Sequence, residues 1–447
     1  MQRSVRWLAA WFGSFVVGVL VLVACVPIVI PEQRGLEHCP DPDAAVDFRD
    51  PHLAAAVRSS LGLDTPSVSC RALARLRRLD ANGAGVADLS GIEYAAYLTR
   101  IDLRDNEITD LTPLSALPRL ARIDLRSNPI SDLSSLQGSP VLTRLEVRGN
   151  QLADITALAS LTTLQILDLR DNAIADVTPL GSLSALRQLQ LQGNQIERVD
   201  SLAELTNLEV LALDNNLVSR ADALSTLVHL RTLSLRGNQV EDITFAFMLT
   251  SLESLDLRSN AVSDVSALVG LDTLSTLRLG GNQIEEITAL SGLVGLRQLA
   301  LERNAITSIG PLAGLDQLVN LDLSRNQIED VTALRNARSL ETLNLNRNAI
   351  RDVEPLAGLT NLTNLDLSRN QIDDIAPLSS MSQLNQLSLA RNRIEDIAPL
   401  LPLSLENLVS LDLELNCLML EGETADHIAR WEAAGIEVTS EQQNTCD

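Results

Sequence analysis

Asparagine recurs at a fixed interval of 22 residues, and that register limits the chain more than any other feature. It stands at Asn106, Asn128, Asn150, Asn172, Asn194, Asn216, Asn238, Asn260, Asn282, Asn304, Asn326, Asn348, Asn370 and Asn392, and Asn416 follows after a step of 24. Each copy closes the pattern Leu-x-x-Leu-x-Leu-x-x-Asn-x-Ile, as in Leu98, Ile101, Leu103, Asn106 and Ile108. In Leu-x-Leu the two leucines point one way and the residue between them the other, so each copy opens with a short strand. One such strand cannot bury its apolar side alone; many stacked in parallel can. The asparagine amide brings donors and an acceptor to the point where the chain leaves the strand. A column of such amides can satisfy backbone groups that the sheet ladder leaves unpaired. The expected fold is an α/β solenoid of about 15 coils, with a parallel sheet on the concave face, short 3-10 or irregular convex segments, and helical caps.

The convex segment has its own signature. After each asparagine comes Ile-x-Asp-Ile/Val-x-Pro/Ala-Leu, as in Ile174 to Leu180. The aspartate, at Asp110, Asp132, Asp154, Asp176, Asp242, Asp264, Asp330, Asp352, Asp374 and Asp396, is placed to cap a short helical turn, and proline suits the start of that turn. Each of these acids stands alone, whereas calcium takes six or more oxygens, so no metal is expected. Phe245 and Phe247 fall on one convex segment in which Ala246 replaces a core leucine; a phenylalanine filling that hole is the expected compensation.

The ends break the pattern. Before the repeats, Asp50-Pro51 reads as a helix N-cap and first turn, Leu53, Val57 and Leu61 share a face, and Gly62 offers a left-handed stop. Such a helix covers the open edge of the first strand. The first coil, from Leu76, has Ala84 in place of asparagine while Val86, Leu89 and Ile92 keep register. Two extra residues enter near Leu400-Leu401-Pro402; Thr424 is then the expected N-cap of a last helix carrying Ile428 and Trp431, closed by Gly435.

With these residues in place, the coils resemble the internalin and SDS22-like class of leucine-rich repeats. The stretch from Phe48-Arg-Asp-Pro51 to Gly91-Ile92-Glu93-Tyr94-Ala95 resembles the N-terminal cap of bacterial secreted members. The resemblance covers about residues 45–447. It implies a horseshoe, a binding scaffold without catalytic activity or cofactor, and a ligand held in the concave face.

The N-terminus reads as an address. Arg3 and Arg6 precede an apolar run from Trp7 to Ile30, and Leu22-Val23-Ala24-Cys25 resembles a bacterial lipoprotein box with Cys25 as the lipidated residue. The run is also long enough to stay as a signal-anchor helix. Either reading expects an extracytoplasmic, membrane-anchored protein. The expected division is a signal at 1–25 (an anchor would reach about residue 30), a tether at 26–40, an N-terminal cap at 41–75, repeats at 76–415 and a C-terminal cap at 416–447. Roughly fifteen coils at about 4.8 Å separate the ends by some 70 Å, and a disulfide needs Cα atoms within about 7 Å. Of the remaining cysteines, only Cys39 with Cys70 and Cys417 with Cys446 can then pair, one staple in each cap, as suits an exported chain.

Function must come from the strand residues between the leucines. A formal net charge of −23 argues against nucleic acid or an anionic lipid surface as the general partner. All basic residues are arginine, which removes phosphate-loop and Schiff-base lysine chemistry. His38, His52, His229 and His427 are scattered, and no nucleophile elbow, His-Glu-x-x-His or phosphate loop is present, so no enzyme is expected. In the N-terminal coils an acid column (Asp102, Asp124, Glu146, Asp168) lies between Arg100, Arg122, Arg144 on one side and Arg104, Arg126, Arg148, Arg170 on the other. Interleaved charge of this kind compensates itself, and each exposed pair is worth little. Arg303, Arg325, Arg347, Arg369 and Arg391, each just before an asparagine, form a less balanced concave row that can grip carboxylates or phosphates. The expected function is a monomeric, membrane-tethered module that binds a protein, or a glycan or other anionic polymer, on its concave face. The alternative is a periplasmic scaffold or regulatory subunit of an envelope complex.

Overall fold

The computed structural model describes residues 39, 41–403, 406–441 and 443. Cys25, the apolar run and Cys446 lie outside them. No helix among the described residues is long and apolar enough to cross a membrane.

Seventeen three-residue strands, from β1 (Arg78–Asp80) and β2 (Arg100–Asp102) through β16 (Ser410–Asp412) to β17 (Glu437–Thr439), form one open parallel sheet. Each strand pairs with the next in sequence, and partners in the repeats are 22 residues apart, as in Leu233↔Leu255. The step widens to 24 at Gln386↔Ser410. A short 3-10 turn returns each coil on the convex side, as in Thr178–Ser182. The core fills the space between sheet and turns. In one coil Leu164, Leu167, Leu169, Ile174, Val177, Leu180 and Leu183 are all buried, and fully burying each such side chain contributes about 2 kcal/mol.

The asparagine column runs through this core. In the Asn238 coil, Nδ2 donates to the carbonyls of Leu213 (2.9 Å) and Leu235 (2.8 Å), while Oδ1 accepts from Val218 N–H (3.0 Å). Asn106 does the same with Ala81, Leu103 and Val86, and Asn416 ends the column on Leu389, Leu413 and Ile394. On the convex side all ten repeat aspartates accept a hydrogen bond from the amide two residues on, at 2.7–2.8 Å. The neighbouring hydroxyl of Ser134, Thr156, Thr178 or Thr332 holds the carboxyls of Asp132, Asp154, Asp176 and Asp330 below their usual range. Phe245 is buried beside Ala246, whereas Phe247 is 59% exposed.

At the N-terminal end, α1 (Pro51–Leu61) starts at Asp50 and stops at Gly62, whose φ is +64°. Phe48 lies over Gly91, where a Cβ would sit 2.7 Å from its ring and where φ is +101°; only glycine fits. The short helix α2 (Cys70–Leu73) carries Cys70, bonded to Cys39 with the Cα atoms 6.2 Å apart. At the other end, α3 (Glu423–Ala433) buries Ile428 and Trp431. Its N-cap is Gly422, not Thr424, which falls in the first turn; the φ of +58° and ψ of −133° at the cap suit glycine alone. Cys417 is disulfide-bonded.

Candidate binding surface

The concave sheet presents three outward columns per coil, and its character changes along the solenoid. From Arg78 to Arg170 these columns hold eight arginines (78, 100, 104, 122, 126, 144, 148, 170) against five acids (80, 102, 124, 146, 168), a surplus of three positive charges in an otherwise acidic chain. The ion pairs are unevenly shared. Arg126 holds Asp124 through Nε (2.9 Å) and Nη2 (2.6 Å), and Arg170 holds Asp168 at the same distances. Burial alone pushes the Asp124 carboxyl up, but the Arg126 hydrogen bonds outweigh it and hold the carboxyl below its usual range. Arg144 pairs with Glu146, and Arg148 reaches Asp171 at 2.8 Å. Arg78, Arg100 and Arg122, in register on adjacent strands, are exposed and pair with no carboxylate among the described residues. A hollow of about 370 Å³ opens here, lined by Arg100, Asp102, Arg122, Asp124, Arg144 and Glu146. Asp102 is only 8% exposed; no donor reaches its Oδ1 within hydrogen-bond distance, and its nearest cation is Arg104 Nε at 3.6 Å.

The middle coils are nearly uncharged at these positions, with Gln190, Ala212 and Ser234 in the central column. Beyond them Glu302 folds back over Gly280, whose missing side chain leaves it room; a Cβ there would lie 2.1 Å from the carboxyl. Burial raises the pKa of Glu302, with the Asp322 charge adding to the shift. Neither residue stood out in the sequence. The only available signal is a glycine pair, Gly280-Gly281, where other coils carry a polar side chain before the turn.

The five-arginine row lies past the strand ends. Arg303, Arg325, Arg347, Arg369 and Arg391 occupy the turns that border the sheet, so they edge the concave face rather than stand on it. All five are exposed, with φ between +56° and +59°. The preceding coils put Asp105, Ser127, Gly149, Asp171, Gly193, Asn215, Gly237, Ser259 and Gly281 at this left-handed position, residues that mostly accept it readily. Arginine does not, and such a conformation costs on the order of 1 kcal/mol or more per residue. None of the five forms an ion pair among the described residues; Asp322 and Asp366, on neighbouring strands, accept instead from Ser324 and Ser368.

This architecture is that of a leucine-rich-repeat protein. The family model for leucine-rich repeats in two copies matches residues 98–138, 162–204, 184–227, 206–247, 228–270, 250–292, 294–336 and 338–380, and the chain belongs to that family. Within it, the chain is similar to an internalin (inlF) of Listeria monocytogenes: 33% identity over 77% of this chain and 96% of that one, with a TM-score of 0.68. A leucine-rich-repeat protein of Leptospira interrogans shares the fold at 23% identity, covering 83% and 97% of the two chains, TM-score 0.66. So does a plant peptide hormone receptor, RGFR1, solved with RGF2: 20% identity, 78% and 69% coverage, TM-score 0.59. No match is found among curated proteins.

Proposed function

We propose that this chain is a non-catalytic recognition module that binds a protein partner on its concave sheet and is held on the outer side of a membrane by its N-terminal segment. The observation that carries the reading is the set of five left-handed arginines along the edge of the C-terminal coils. They add backbone strain and make no ion pair among the described residues, so folding gains nothing evident from them; strain of this kind collects at functional sites. Together they offer guanidinium forks to carboxylates of a partner. The internalin similarity and the receptor solved with a peptide-hormone ligand on the same fold support a protein ligand.

Four measurements test this. Replacing Arg325, Arg347 and Arg369 with Asn relieves the strain, so the variant unfolds at a higher denaturant concentration, by roughly 0.5–1 kcal/mol per site. Capture of partners by proximity labelling from the native membrane falls in the same variant and is abolished by Thr232→Trp with Ser234→Trp on the central concave face. Capture that survives the tryptophan pair removes the concave reading. For the address, Cys25→Ala is expected to release the repeats from the membrane fraction. Labelling of intact cells then separates exposure at the cell surface from a periplasmic scaffold.

A further inference from the structure

The concave charge lattice compensates most of its arginines and leaves three of one column free of any carboxylate among the described residues. Arg104, Arg126, Arg144 and Arg170 turn toward the acid column, but Arg78, Arg100 and Arg122 stand one above another on β1, β2 and β3 (Arg122–Asp124) with no carboxylate partner among the described residues. Neighbouring strands are about 4.8 Å apart, and like charges directly opposite one another oppose folding. The column therefore contributes nothing to stability that explains it. Beside it, Asp102 lines the hollow with its side chain about nine-tenths buried, and its Oδ1 is enclosed with no hydrogen-bond donor among the described residues. The hollow thus lacks two things at once: anions opposite the guanidiniums and a hydrogen-bond donor opposite Asp102.

We propose that this hollow, between β2 and the Arg144 strand, together with Arg78 on the adjoining β1, is a subsite for an extended acidic polypeptide segment, whose side-chain carboxylates pair with Arg78, Arg100 and Arg122 while a main-chain N–H donates to Asp102 Oδ1. The inference rests on the concave-face reading above and names the partner's chemistry at one end of that face. The geometry fits a polypeptide. Two strand steps, about 10 Å, correspond to about three residues of extended chain. A carboxylate accepts the two parallel bonds of a guanidinium, the pairing Arg126 and Arg170 already make with their own acids. A phosphodiester chain fits less well: its backbone has no N–H to donate to Asp102, and the strand positions here carry no aromatic ring on which a base can stack.

The test uses the full-length chain and three labelled probes followed by fluorescence anisotropy: a glutamate decamer, an oligogalacturonate and an oligothymidylate. The proposal expects the glutamate decamer to bind best. It also expects the double variant Arg100→Gln, Arg122→Gln to weaken that binding at least tenfold, and Arg198→Gln with Arg220→Gln, exposed arginines paired with Asp200 and Asp222 beside the convex turns, to leave it within twofold. Because the column is repulsive, the double variant should melt at the same temperature as the parent or higher; a lower melting point means a structural role and counts against the proposal. Failure of the decamer to bind, binding indifferent to Arg100 and Arg122, or tighter binding of either other probe through those arginines overturns it. None of these results touches the concave-face reading, which fails only if partner capture survives the central tryptophan block.

Discussion

The side chain of Asn238 serves three main-chain groups at once: two carbonyls, of Leu213 and Leu235, and the amide of Val218. Asn238→Ala orphans the Val218 amide inside the solenoid, while the carbonyls of Leu213 and Leu235 keep the bonds they accept from Asn216 and Asn260. With an orphaned buried group costing about 1–3 kcal/mol, we expect a loss of roughly that size in urea unfolding; a change under about 0.5 kcal/mol would show that water or repacking replaces the amide. This role follows from the sequence because the 22-residue register puts every asparagine in the same environment. Glu302 is different. Its contact with Gly280 joins two coils, and nothing in the local pattern of either announces it. Burial raises its pKa, so the folded state binds that proton more tightly than the unfolded chain does, and ionisation weakens folding. The penalty is fully present above the folded-state pKa and fades as pH falls to the ordinary value of 4.5. Glu302→Gln should therefore raise the thermal midpoint at about pH 7, with the gain gone by about pH 4. An equal gain at both values would point to packing instead of charge.

Helix α1 depends on Asp50 for more than its start. One carboxylate oxygen accepts from His52 N–H (2.7 Å) and Leu53 N–H (3.3 Å) at the helix N-terminus; the other accepts from Ala87 N–H (2.7 Å) and Asp88 N–H (3.2 Å) in the first coil. These amides offset the cost of burying the carboxyl and hold its pKa below the usual value. Asp50→Ala removes a cap worth about 1 kcal/mol and orphans two amides of the next element, for an expected loss of roughly 2–4 kcal/mol. In a solenoid the damage stays local: hydrogen exchange should quicken through α1 and the first coils and remain unchanged around Asn238. Uniform acceleration would mean that the whole array opens as one unit. The start and stop of α1 are legible in Asp50-Pro51 and Gly62, because capping is local chemistry. Strand β17 is not. Glu437–Thr439 lacks the Leu-x-Leu pattern and extends the sheet only because β16 leaves an edge to be covered. The shift of the α3 cap from Thr424 to Gly422 has a similar cause, since the backbone angles of the preceding turn come from how the chain leaves the last coil.

For the molecule as a whole, periodicity carried the architecture and left the chemistry of the face open. The sequence placed acid between two arginine columns and suggested that they cancel. The structure pairs Arg104, Arg126, Arg144 and Arg170 with the acids and leaves Arg78, Arg100 and Arg122 without a carboxylate among the described residues, a choice made by side-chain direction that residue spacing does not encode. It also moves the five C-terminal arginines from the face to its edge. The sheet keeps strict register, each strand residue meeting the one 22 positions on from β1 through to β15 (Gln386–Ser388), so its columns run straight and carry no stagger. Such a face works as a ruler. Duplicating or deleting one coil lengthens or shortens the contact by a single rung of about 4.8 Å and leaves the other rungs facing the same way. A lineage of these chains can thus match longer or shorter partners by whole-unit edits, with no need to redesign the chemistry at either end.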